Sequence, residues 1–205
     1  YPMGNTHGGL VELNGRYYIF DHRHTNNSSF CRQGVAEQIN IDAQGLIAQV
    51  ESTSCGLNNG WLIGEGTYPA YIACVLYYEK TVPINDRTAC ITQDGEDRES
   101  LPGQYIQGIS DGCIVGYRYF EGKELSNIRL TVRGRMKGTL YVTCHEEGGR
   151  MQDPEKIAAG SCICDIAAGD WETITIPVQV RAGVYPLYFR FRGEGSLDLA
   201  EFTLE

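Results

Sequence analysis

Three histidines near the N-terminus are the side chains best suited to metal chemistry. His22 and His24 are separated by one residue in an alternating segment, so both side chains are expected on the same face of a strand. A catalytic zinc ion needs a third protein ligand and a structural zinc ion a fourth, and His7 is the one candidate nearby. Zinc binding is therefore one alternative for these histidines, and the preferred interpretation is a polar strand face that binds no metal.

The cysteines offer a second kind of chemistry. Cys144 precedes His145 directly, but adjacent strand residues point to opposite faces, so no cysteine–histidine nucleophile is predicted there. Cys162 and Cys164 lack a second pair at metal-binding spacing, so we expect a structural role for them.

The element that positions the histidines is a predicted β-hairpin. The segment from His7 to His24, HGGLVELNGRYYIFDHRH, contains two alternating runs joined by Asn14 and Gly15. Both central residues of a type I′ turn need positive φ, and the Asn-Gly pair adopts it readily.

The alternation continues after the hairpin. Residues 35–41 alternate strictly, residues 42–45 form a turn signal, and residues 46–51 alternate again. Residues 1–60 are therefore predicted to form four antiparallel strands, which is the number in one propeller blade.

The segment HGGLVELNGRYYIFDHRH resembles a late blade in the five-bladed propeller of glycoside hydrolase family 43. That blade has an Asn-rich turn, His-Gly-Gly, a Val-Glu strand, Asn-Gly and an aromatic strand ending in His-Arg. The resemblance implies an inverting parent enzyme whose general acid and general base lie roughly 6.5–9.5 Å apart. It places both carboxylates in earlier blades, upstream of Tyr1, in an N-terminal propeller that this chain lacks. Glu12, Glu37 and Glu51 match no catalytic motif of the family, so no catalytic residue is predicted.

The same resemblance implies roles for two residues. His7 matches a propeller-axis histidine that approaches a central cation, often calcium, through water. Arg32, in the segment FCRQ, matches an arginine that reaches the sugar site. Both residues are expected to bind substrate in the parent propeller, with His7 also near the metal. The alternative is that both are exposed, or fill space, in this chain.

The composition limits the classes of partner. The formal net charge is −9, whereas nucleic-acid binding needs a basic surface, so no nucleic-acid partner is expected. No apolar run approaches the roughly 18 residues that span a bilayer, so no membrane partner is expected. A neutral polyhydroxylated ligand suits this composition better.

The eight cysteines do not have the spacing of a compact disulfide scaffold. Several lie in apolar strand patterns, as Cys74 does in YIACVLYY, so we expect buried free thiols that behave as small hydrophobic residues. Free thiols are easier to maintain in a reducing compartment. This favours a cytoplasmic location and leaves an extracellular one open.

A second region follows a Gly- and Asn-rich boundary at residues 56–67. Its short alternating segments each have one apolar face, which predicts an antiparallel, jelly-roll-like β-sandwich over residues 66–205. The chain is therefore expected to be all-β, with a helical turn at residues 153–159. The predicted strands are 71–78, 112–120, 127–133, 138–144, 173–180, 184–192 and 197–204.

This second region is similar to the family 6 carbohydrate-binding modules, most visibly over residues 169–204. Such modules commonly accompany family 43 hydrolases and hold a sugar between a tyrosine and a tryptophan, with an asparagine close by. Tyr105 matches the tyrosine and Asp198 the asparagine, and both are the candidate carbohydrate-binding residues. The binding tryptophan falls near Ala168, and Trp171 matches a tryptophan that packs in the core.

Together the two resemblances predict the C-terminal fragment of a family 43 hydrolase related to arabinofuranosidases and xylosidases. Its partners would be arabinose- or xylose-containing plant polysaccharides, and the fragment itself would be catalytically silent. The alternative is a module that binds no sugar and braces the propeller, because one of three sugar-binding positions is retained.

Overall fold

The computed structural model describes residues 7–80, 88–95, 103–144 and 152–205. Within these ranges the chain has twelve β-strands, a 3-10 turn at Ala70–Ile72 and a short α-helix at Pro154–Ile157. The predicted all-β class is confirmed, and the helix lies inside the predicted helical turn. No described helix has the length and apolar character needed to span a membrane.

The first sheet contains three antiparallel strands in the order β1 (Gly9–Leu13), β2 (Arg16–His24) and β3 (Arg32–Ile39). Asn14 and Gly15 join β1 to β2 with φ values of 52° and 77°. The predicted hairpin, with positive φ at both turn residues, is confirmed.

The prediction of a fourth strand at residues 46–51 is wrong. The chain makes an isolated bridge there, between Ile41 and Ile47. The carboxylate of Asp42 accepts a hydrogen bond from the backbone N–H of Leu46 at 2.8 Å, and this closes a compact turn. The backbone N–H of Leu46 thus bonds to a side chain, whereas the alternating pattern predicted a bond to a neighbouring strand.

The other nine strands form one curled sheet. They are β4 (Leu62–Ile63), β5 (Gly66–Pro69), β6 (Val75–Tyr78), β7 (Cys90–Asp94), β8 (Gly103–Ser110), β9 (Cys113–Gly122), β10 (Leu125–Thr143), β11 (Ala158–Val180) and β12 (Gly183–Leu204). The main path is β11-β10-β12-β8-β7, and β9 also pairs with β12, β4 and β6. The pairs are antiparallel except for β4 and β9, which run parallel.

The C-terminal strands are longer than predicted. The predicted strands 184–192 and 197–204 are one continuous strand, β12, and β10 likewise includes two predicted strands. Gly138 pairs with Gly193 where these strands lie together, and a side chain at Gly138 would collide with the carbonyl oxygen of Arg192. The glycines therefore mark close approach of paired backbones, and not a chain reversal.

One hydrophobic core lies inside the curled sheet. The predicted inward faces are buried, as Ile128, Val132 and Leu187 show with no exposed surface. Phe202 is also fully buried and packs against the rings of several aromatic neighbours. The buried residues of this core all lie between Ala70 and Leu204.

Residues 66–205 are expected to fold without residues 1–60, because they contain that whole core. Residues 1–60 are not expected to fold alone, since β1 is exposed at every position and small sheets with an uncovered face are marginally stable. Thermal unfolding of each piece, followed by circular dichroism, tests both statements. Cooperative melting of the isolated 1–60 piece would contradict the second.

Candidate functional site

The first candidate site lies on β2 and β3, whose register places His24 opposite Arg32. The Nε of Arg32 donates a hydrogen bond to Nε2 of His22 at 3.0 Å. The ring of His22 meets the ring of His7 edge to face, with centroids 4.5 Å apart, and its Nδ1 lies 3.2 Å from the His7 carbonyl oxygen. The structure therefore places Arg32 and His7, the two residues matched to the parent sugar site, on either side of His22.

The histidines are not arranged as a metal centre. No group of three or more His, Cys, Asp or Glu side chains that could hold a metal ion occurs among the described residues. Calcium prefers oxygen ligands, whereas the ring that contacts His7 is the imidazole of His22. The described residues around His7 do not by themselves fit calcium, and its metal role stays a prediction about a complete propeller.

His24 lies next to this cluster, with its ring centroid 5.9 Å from that of His22. Both ring nitrogens are buried without a hydrogen-bond partner in the described part of the chain. Burial lowers the pKa of His24, and the positive charge of Arg32 lowers the pKa further. The neutral imidazole is therefore the favoured form, which keeps a second positive charge away from Arg32.

Two carboxylates near the sheet form hydrogen bonds to neighbouring segments. Glu37 accepts from the backbone N–H of Thr53 at 2.5 Å and from its hydroxyl at 2.7 Å, and burial raises the pKa of Glu37. Glu51 accepts from Arg118 at 2.5 Å and from the hydroxyl of Tyr119 at 3.0 Å. The Glu37 bonds therefore hold the segment after β3 against β3, and the Glu51 bonds hold it against β9.

Further contacts join the three-stranded sheet to the sandwich. Arg23 is 6% exposed and donates to the backbone carbonyls of Ala73 and Tyr71, beside the 3-10 turn. The backbone N–H of Asn26 donates to the carbonyl of Ile91 on β7 at 2.9 Å. The two regions are therefore joined by a buried charge and a main-chain hydrogen bond.

The second candidate site surrounds Tyr105 on β8. The rings of Tyr105 and Trp171 meet edge to face, with centroids 5.4 Å apart. The guanidinium of Arg133 lies 4.6 Å from the centroid of Tyr105 and 4.3 Å from that of Trp171. Its Nε donates to Asp198 at 3.1 Å, and the other oxygen of Asp198 accepts from the backbone N–H of Gly108 at 3.0 Å.

Arg133 therefore fills the surface on which a sugar would stack. Tyr105 is 7% exposed as a result of this packing and that of its other neighbours. Tyr105 and Asp198 both contact the side chain of Arg133, so the structure places them in one cluster. Sequence reasoning missed Arg133. Trp171, which was matched to core packing, is the tryptophan beside Tyr105. The side chain of Ala168, matched to the binding tryptophan, lies outside the described ones.

All eight cysteines lie among the described residues and are free thiols. Cys90, Cys113 and Cys164 are buried, and the others are partly buried. Burial raises the pKa of Cys113 to about 12, so this thiol stays protonated. The Sγ atoms of Cys162 and Cys164 lie 3.4 Å apart. Of the Cys144–His145 pair, His145 lies outside the described residues.

Several solved structures share the fold of this chain. The chain matches a glycoside hydrolase family 43 arabinoxylan arabinofuranohydrolase from Bacillus subtilis in complex with cellotetraose. The TM-score is 0.61 at 14% identity, over 98% of this chain and 41% of the other. The β-1,3-glucan-binding family 6 module from Bacillus halodurans matches 71% of this chain and 99% of its own length, with a TM-score of 0.52 at 20% identity. The module CsCBM6-3 from Clostridium stercorarium, in complex with cellobiose, matches 72% of this chain and 98% of its own length, with a TM-score of 0.54 at 15% identity.

A relative at the sequence level is more specific. A xylosidase/arabinosidase from Thermoclostridium stercorarium is 39% identical over 212 residues, which cover all of this chain and 43% of that protein. The chain thus spans less than half the length of the curated relative it matches. No family model matches the chain. The predicted resemblance to family 43 enzymes and family 6 modules is confirmed, and so is the fold class.

Proposed function

We propose that this chain is the non-catalytic, C-terminal part of a glycoside hydrolase that acts on arabinose- or xylose-containing polysaccharide. The observation that carries the proposal is the 39% identity to a xylosidase/arabinosidase along the whole chain. The geometry supports it, because Arg32 is oriented by His22 beside His7, in a polar and exposed part of the sheet. In the complete protein Arg32 and His7 would contact the sugar, and an N-terminal propeller would supply the acid and base.

The chain contributes carbohydrate binding in this proposal. The chain is expected to be retained by insoluble arabinoxylan and to show no turnover of aryl arabinofuranoside or aryl xyloside above buffer. Binding is expected to be weak, because stacking one sugar face on one ring buries about 60 Å², roughly 1.5 kcal/mol, while association costs at least about 4 kcal/mol. Depletion from solution by arabinoxylan measures retention. Turnover by the chain would refute its non-catalytic assignment, and no retention would refute its sugar-binding role.

A second candidate function is that the sandwich braces the propeller. The contacts of Arg23 with the carbonyls of Tyr71 and Ala73 favour it, since a buried guanidinium fixes the orientation of two packed regions. The closing of the Tyr105 cleft by Arg133 also favours it. Bracing and sugar binding are compatible if sugar is bound at another surface of the chain.

A further inference from the structure

We propose that a groove beside Trp61 binds a neutral oligosaccharide; this inference rests on the proposed function and gives it a site. The groove lies between β3 and the segments that follow it, with a volume of about 350 Å³. We call it the Trp61 groove. Its lining includes Trp61, Tyr119, Glu51, Gln38 and Gln49.

The aromatic part of the Trp61 groove is exposed and held in place. Trp61 is 46% exposed, and its ring meets that of Tyr119 edge to face with centroids 5.2 Å apart. The side-chain amide of Asn58 donates to the carbonyls of Gly60 and Trp61, each at 3.0 Å. These bonds fix the loop that carries the indole, so little conformational freedom is lost when a ligand stacks on it.

The polar part of the groove suits sugar hydroxyls. Glu51 offers carboxylate oxygens whose position is fixed by Arg118 and the hydroxyl of Tyr119. Gln38 and Gln49 add amide groups that can both donate and accept. An apolar ring face beside a few oriented polar groups is the usual composition of a small-ligand site.

The charge of the groove favours a neutral ligand. Glu37 and Glu51 both line it, and the positive charge of Arg118 is already paired with Glu51 at 2.5 Å. A uronate would bring a negative charge towards these carboxylates, and the described lining of the groove contains no lysine or arginine. A neutral pentose chain carries no such penalty, and the volume lies within the range of small-ligand sites.

The Trp61 groove also differs from the Tyr105 cleft in being open. In the Tyr105 cleft, Arg133 covers both aromatic rings, whereas Trp61 presents nearly half of its surface to solvent. The Trp61 groove therefore offers an open aromatic surface on which a sugar ring can stack in the conformation described.

The two tryptophans of the chain, Trp61 and Trp171, allow a site-resolved test. Trp171→Phe leaves Trp61 as the emitter, and Trp61→Phe leaves Trp171. Each variant is titrated with xylohexaose and with an arabino-oligosaccharide while tryptophan emission is recorded. We expect saturable changes in the emission of Trp61 and no change in that of Trp171.

Affinity variants give the second arm of the test. Trp61→Ala should weaken xylohexaose binding at least about tenfold, the equivalent of losing about 60 Å² of stacked apolar surface. Tyr141→Ala is the control, because Tyr141 is a partly exposed aromatic residue on β10 that does not line the groove. Circular dichroism and melting temperature confirm that each variant is folded before titration.

The outcomes separate this inference from the function on which it rests. Binding that is unchanged in Trp61→Ala would overturn the Trp61 groove and leave sugar binding by another surface. Failure of the unmodified chain to bind either oligosaccharide or insoluble arabinoxylan would overturn the groove together with the sugar-binding role. Loss of binding in Trp61→Ala, with normal binding by Tyr141→Ala, would establish the groove.

Discussion

Replacing Arg23 with methionine is expected to lower the free energy of unfolding by about 2–4 kcal/mol. Arg23 donates to the carbonyls of Ala73 and Tyr71 and, at 2.8 Å, to the side-chain oxygen of Gln33. Hydrogen bonds from charged donors contribute roughly 1.5–3 kcal/mol each, and buried acceptors left without a donor cost more. Methionine keeps most of the volume of the side-chain stem, so the loss reports the hydrogen bonds rather than a cavity.

Urea unfolding followed by circular dichroism measures the change in stability. Arg129→Met is the matched control, because Arg129 is 46% exposed and forms a surface ion pair with Glu205 at 2.7 Å. Surface pairs contribute about 0–1 kcal/mol, so the control should stay close to the unmodified chain. Hydrogen exchange should quicken in β1 to β3 more than in the sandwich for the Arg23 variant. A stability change for Arg23→Met no larger than that of the control would contradict the bracing role.

This expected loss links the fold to the proposed function. Arg23 lies one residue from His22, which orients Arg32. Side chains alternate along a strand, so β2 presents His22 on one face and Arg23 on the other. Fixing Arg23 to the sandwich therefore also fixes the face that carries His22 and Arg32. The contacts of Arg23 with the sandwich and the candidate sugar site at His22 and Arg32 thus lie on opposite faces of the same sheet.

The parts of the fold that depend on local chemistry could be predicted from the sequence. Asn14 and Gly15 accept positive φ, and this gives the hairpin and its register directly. Period-two patterns identified inward faces, as the complete burial of Ile128 and Val132 shows. An alternating pattern does not show whether a segment has a strand to pair with. Residues 46–51 alternate and are predicted to pair, but Asp42 closes a turn with Leu46 and no strand forms there.

The candidate sites depend on contacts that the sequence does not reveal locally. Arg133 and Asp198 are far apart in the chain, and the register of β10 against β12 places them opposite each other. The resemblance identified Tyr105 and Asp198 by position, but it had no counterpart for an arginine that lies between them. Trp61 lies in the predicted boundary loop, where only tertiary packing against Tyr119 indicates a surface for binding. The sequence therefore identified candidate residues such as Tyr105 and Asp198, but it did not identify the side chains that contact them.

Replacing Arg133 with alanine is expected to open the Tyr105 cleft and create sugar binding there. The guanidinium lies over both rings, at 4.6 Å from Tyr105 and 4.3 Å from Trp171, and is held by Asp198. Its removal exposes the rings of Tyr105 and Trp171 beside the carboxylate of Asp198, which stands at the position matched to the family 6 asparagine. The stability cost should be modest, about 1–2 kcal/mol, because cation–π contacts contribute about 0.5–2 kcal/mol and the Arg133 side chain is 25% exposed.

The gain is measured in a Trp61→Phe background, in which Trp171 reports on the opened cleft alone. Xylohexaose should then give a saturable change in the emission of Trp171 in Arg133→Ala and no change in the same background with Arg133 intact. Arg135→Ala is the matched control, because Arg135 is an exposed arginine on the same strand. Arg133→Lys keeps the charge but not the planar group that stacks on rings, and it should give an intermediate response. If Trp171 stays silent in a folded Arg133→Ala chain, the aromatic pair is a packing contact and the bracing function is favoured; if it responds, Arg133 is the residue that closes this cleft to sugar.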